Sequence, residues 1–112
     1  MNATEAQIAY IADLAVALTI TTPREMAEAQ QRRRLSDEIR LARRAARRGD
    51  ADAQATVEAL TVDGEPSPAI IAERTDAWYV AREARHTEAR EMLARLTSLT
   101  KSEASHLIDL LK

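Results

Sequence analysis

The sequence predicts an all-α protein: a small helical bundle built on a long antiparallel helical hairpin, with a short helix at each terminus. Three observations predict it. Ala, Leu, Arg and Glu dominate, and two Gly, three Pro and no Phe leave little to interrupt helices or to build strands. Capping residues stand before each apolar run. Within those runs the apolar residues recur at three- and four-residue spacing, the period of one helix face. A chain of 112 residues has the size of one domain and can bury a modest core.

Thr4 followed by Gln7 fits a capping box, in which the Thr hydroxyl accepts from the third helical N–H and the Gln side chain reaches back. The helix it starts places Ile8, Ile11, Leu14, Ala15 and Leu18 on one face. In "TTPRE", Thr22 is expected to cap, with Pro23 at the first helical position and Glu25 closing the box. A second helix then runs to Arg48, roughly 39 Å at 1.5 Å per residue, where Gly49 offers a left-handed stop. Leu35, Ile39, Ala42 and Ala46 mark its buried stripe. Asp50 or Asp52 caps a short third helix bearing Val57 and Leu60.

"TVDGEPSP" at 61–68 reads as a loop, with a turn at Asp63-Gly64 and two Pro that bar a helix. Ser67 then caps and Pro68 opens a long helix to about Leu96. Ile70, Ile71, Trp78, Ala81, Ala89, Met92 and Leu96 share a face about 100° wide, the width of a core-facing stripe. Two long helices joined through a short one make an antiparallel hairpin. Thr100 with Glu103 repeats the capping box, and the last helix sets Ala104, Leu107, Ile108 and Leu111 on one face.

The first and last helices read as copies of one capped unit. Thr4, Asp13 and Leu14 recur as Thr100, Asp109 and Leu110, with Gln7 matched by Glu103 and Ile11 by Leu107. The expected organisation is a single helical domain, 1–112, in which 4–20 and 100–112 form a split module and 23–96 is an inserted hairpin. The first half of that module carries Thr4, Gln7, Tyr10, Ile11 and Leu14. The second carries Leu99, Thr100, Lys101, Glu103, Ala104, Ser105, Ile108, Asp109 and Leu111. This pattern resembles a short domain of unknown function found in small bacterial proteins, with similar tails on some phage and plasmid proteins that handle DNA. The module has a short spacer where this chain has residues 15–98. The resemblance implies an accessory protein of a phage or bacterium and implies no reaction.

Charge is distributed unevenly. The net charge is −2, yet between Arg24 and Arg48 nine Arg stand against Glu25, Glu28, Asp37 and Glu38. Residues 50–65 carry Asp50, Asp52, Glu58, Asp63 and Glu65 and no basic residue. Arg outnumbers Lys fourteen to two, a bias expected of GC-rich coding, as in an actinobacterium or its phages. On the second helix Arg33, Arg40, Arg44 and Arg47 form one stripe, with Arg43 and Arg48 beside it, about 140° from the buried stripe. Such a row of guanidinium groups can follow a phosphate backbone and release its counterions. It can equally be a solvated face neutralised by acidic residues. No aromatic residue interleaves with these Arg, so bases have no stacking platform there.

Arg74 and Arg85 fall inside the apolar stripe of the fourth helix. An Arg there can stack on Trp78 or pair with Glu88, its head reaching the edge of the core. The same stripe suits a dimer or partner interface anchored by Ile71, Trp78, Tyr79, Arg85 and Met92. A slender hairpin with few large residues favours self-association, so a homodimer burying this stripe is expected.

No catalytic residue, metal site, cofactor or small-molecule ligand is expected, and the chain is read as a non-enzyme. Without Cys there is no disulfide or thiolate chemistry. His86 and His106 lie in different helices without metal-ligand spacing. Asp37 and Glu38 are adjacent and point apart on a helix. The first fifteen residues lack signal-peptide character, and no apolar run approaches the ~20 residues that span a bilayer, so a cytoplasmic protein is expected. Three functions are consistent with these features: helix-mediated contact with a host or phage protein, DNA binding through the Arg-rich helix, and inhibition of a host protein.

Overall fold

The computed structural model describes residues 1–112. The chain is all-α, with five α-helices and one minimal hairpin. The elements are α1 (Glu5–Leu14) with a 3-10 turn at Ala15–Thr19, α2 (Arg24–Arg47), α3 (Ala51–Leu60), β1 (Thr61–Val62), β2 (Glu65–Pro66), α4 (Pro68–Leu93), a second 3-10 turn at Leu96–Ser98, and α5 (Lys101–Leu111).

The chain divides into two compact units. Met1–Thr21 and Tyr79–Lys112 make a terminal unit, and Thr22–Trp78 make a unit inserted within it. The middle unit ends at Trp78, part-way along α4. The physical reason lies in α4, whose last turns carry Ala89 and Met92 into the core of the terminal unit while Ile71 serves the inserted one.

Two of the three expected capping boxes form, at the starts of α1 and α5, while the one expected at Thr22 and Glu25 does not. Thr4 Oγ1 accepts from Gln7 N at 3.1 Å while Gln7 Oε1 accepts from Thr4 N at 3.0 Å. Thr100 and Glu103 repeat the exchange at 3.1 Å in both directions. The residues before the two caps also pair with each other. Ala3 N donates to Leu99 O at 2.9 Å and Lys101 N to Met1 O at 3.1 Å, an antiparallel bridge centred on Asn2 and Thr100. Gln7 Nε2 reaches across to Lys101 O and Ser105 Oγ, both at 3.3 Å. Beneath these contacts Ile11, Leu99, Ala104 and Leu107 are fully buried, with Met92 and Leu111 beside them.

The inserted unit is built on α2. Its partners along the remaining chain run backwards: Arg24 binds Asp76, Leu35 and Ile39 pack on Ile71, and Arg43 binds Gly64, the order of an antiparallel pair. The helix starts at Arg24, with Pro23 as the cap residue. Thr22 thus precedes the cap position it was expected to occupy, and a Pro ring offers no acceptor for the first-turn N–H groups. Arg48 ends the helix and Gly49 takes φ +93°, the left-handed stop. Asp50 Oδ1 caps α3 through Ala53 N at 3.1 Å.

The segment expected as a loop is a two-residue hairpin pairing Thr61 with Pro66 and Val62 with Glu65. Asp63 and Gly64 both take positive φ, +54° and +79°. That is the geometry for which Asp-Gly is preferred in a primed turn matching the right-handed strand twist. Ser67 Oγ then accepts from Ile70 N at 3.4 Å to open α4. Within α4, Thr75 is fully buried and its hydroxyl is satisfied by donating to Ile71 O at 2.7 Å. Ala81, expected in the apolar stripe, is exposed.

Candidate functional site

The outer face of α2 is the candidate, and the helix period produces it. Ala27, Gln31, Leu35 and Ile39 are buried on the inner face. Residues at the opposite azimuth must then face water. Arg33, Arg40, Arg43, Arg44, Arg47 and Arg48 are all exposed. Arg40 Nη2 donates to Asp37 Oδ1 at 2.6 Å, a pair on the same helix. Arg43, at the edge of the face, donates through Nη2 to Gly64 O at 2.7 Å and so ties the hairpin turn to α2. Arg33, Arg44, Arg47 and Arg48 make no ion pair, and neither do Arg32 and Arg34.

Two side chains on this helix escaped the sequence reading. Met26 is 65% exposed and Leu41 61%. By helical period Met26 stands roughly opposite the buried stripe, at the azimuth of Arg44, and Leu41 lies about 100–120° round from it, beside Arg48. The signal was available from the wheel, because neither residue shares a face with Leu35. The face is therefore mixed, apolar and cationic.

The five residues expected at an interface on α4 do not form one surface. Ile71 and Met92 are buried, each in the core of its own unit. Trp78 and Tyr79 are half-buried and Arg85 is exposed. Arg74 pairs with Glu38 of α2 through Nη1. Glu88, expected as an Arg partner, instead bonds His106 Nε2 at 2.8 Å.

The terminal unit carries an open groove of about 460 Å³ lined by Glu88, Glu91, Met92, Arg95, Ser102, Glu103 and His106. Most of its charges are paired within the groove. Glu103 is held below the usual carboxylate range by its bond from Thr100 N, then by Arg95 at 2.8 Å and the Thr100 side chain. No family model, curated protein or solved structure matches the chain.

His86 supplies a pH dependence. Burial, then Arg82 and Arg90, with Arg85 adding a smaller push, lower its pKa, opposed by Glu83. The folded chain therefore binds this proton less readily than the unfolded one, whose His titrates near 6.5. Its contribution to stability is complete above that value and is lost as pH falls through and below it. His86→Gln is expected to flatten the decline in Tm between about pH 6.5 and pH 5. Thermal melts of both proteins across that range check this, and parallel declines would remove His86 as the cause.

Proposed function

We propose that the chain is a non-enzymatic accessory protein of a phage or bacterium that works by docking the outer face of α2 on another protein. The composition of that face supports the reading. Met26 and Leu41 stand exposed on a helix whose Arg33, Arg44, Arg47 and Arg48 lack carboxylate partners. Met and Arg are enriched where proteins meet, and an amphipathic helix commonly seats its apolar side chains in a partner groove. The partner that fits has acidic residues around an apolar contact. An inhibitor of a host protein would use the same face. The bacterial or phage assignment rests on the resemblance carried by the two terminal segments.

A second reading has its own support. Guanidinium groups without an in-chain carboxylate can bind phosphates bidentately and release counterions. With no aromatic residue among them, such binding would track the nucleic-acid backbone and ignore sequence. One experiment separates the two. A photo-crosslinking amino acid placed at Leu41 is expected, on irradiation in cells, to give a protein adduct of discrete mass that survives nuclease. An adduct that nuclease removes would favour nucleic acid. The absence of any adduct would sink both.

A further inference from the structure

We infer that the protein docked on α2 is a second copy of this chain, received through its acidic α3 and β1–β2 turn. This rests on the reading of α2's outer face as a protein-contact face. The inserted unit holds both halves of a charge-complementary pair that do not meet within it. Arg32, Arg33, Arg34, Arg44, Arg47 and Arg48 make no ion pair, and Asp50, Asp52, Glu58, Asp63 and Glu65 are exposed and make none either.

The fold explains why they stay apart. Leu60, at the end of α3, packs against the cluster of Leu35, Ile39 and Ile71 on the inner face of α2. Arg33, Arg44, Arg47 and Arg48 lie towards the other side of the same helix, Arg32 and Arg34 flank it, and none of them pairs with an α3 carboxylate. The one bond from this Arg face to the acidic segment is Arg43 to Gly64 O, a contact with the backbone and not with a carboxylate. A second copy has no such restriction. Its acidic segment can lie along the Arg row while its own Arg row receives the first copy's acidic segment. That reciprocal contact is a closed two-fold pair, satisfied in one step.

Charge alone is a weak adhesive at an exposed surface. Each half also carries an apolar residue: Leu41 on α2 is 61% exposed, and Val62, next to Asp63, is 53% exposed. These two supply contact area within the charged surround, the usual arrangement of an interface core and its polar rim.

Sedimentation velocity of the full chain over a concentration series tests the proposal. At about 50 mM salt a monomer–dimer equilibrium is expected, and at about 500 mM, where screening is much shorter in range, dimerisation should weaken roughly tenfold. Arg44→Glu with Arg47→Glu should leave a monomer, and so should Glu58→Arg with Glu65→Arg, since each pair would face like charge twice. Mixing the two variants should restore a heterodimer. All four positions are exposed, and far-UV circular dichroism confirms that the variants fold. A dimer that persists in either variant alone overturns the pairing, as does a mixture that stays monomeric. A wild-type monomer at low salt overturns it too. If the Leu41 crosslink then captures a different protein, the contact face stands without the self-pairing; if it captures none, both fail.

Discussion

Leu107→Ala is expected to lower the unfolding free energy by about 3 kcal/mol, within the range measured for deleting a fully buried Leu side chain. Leu107 has no exposed surface and sits among Ile11, Met92, Leu99, Ala104 and Leu111. Those neighbours come from α1, α4, the segment before α5, and α5 itself, so the vacated volume borders several elements and cannot close by moving one. Against a total of about 5–15 kcal/mol for a typical domain, the loss is a large fraction. Urea titration followed by circular dichroism should show a lower midpoint with an unchanged slope. Leu110→Ala, at a half-buried position, should cost clearly less. Equal effects from the two would mean that α5 does not dock through the Leu107 face.

Leu35→Ala is expected to cost a similar amount, about 2–4 kcal/mol, but to act on the other core. The inserted unit's cluster has Leu35, Ile39 and Ile71 as its buried members, flanked by Leu60 and Ile70. Removing one of three central side chains leaves little to refill the space. Hydrogen exchange read by mass spectrometry should show the greatest loss of protection in peptides from α2 and α3. Unchanged protection there would contradict the packing of α3 on α2.

How far the fold could be read in advance depended on the range of the interaction concerned. Caps are local, so the two Thr boxes and the Gly49 stop were legible from a few residues each. The Asp63-Gly64 turn was legible as a turn. The two-residue strands around it were not, because no run of β-formers marks them. The long α4 misled for a different reason. A helical wheel projects the whole helix onto one circle, and this helix supplies Ile71 to one core and Ala89 and Met92 to another. Ala81 falls on the projected stripe and is exposed. Partners distant in sequence were not legible either, as with Arg74 and Glu38, 36 residues apart. At the candidate face the Arg row followed from spacing alone. Its lack of carboxylate neighbours depended on where α3 packs, and no local pattern encodes that.

The bridge between Asn2 and Thr100 has a consequence for biosynthesis. Gln7 and Ser105, which bond across the terminal unit, are 98 residues apart, so α1 leaves the ribosome long before its partner helix exists. At about 5–20 residues per second, it waits roughly 5–20 s with Ile11 uncovered. The inserted unit has no such delay, because residues 22–78 contain their own core. The order of synthesis thus favours residues 22–78 maturing before α1 is sheltered, although α1 is made before them.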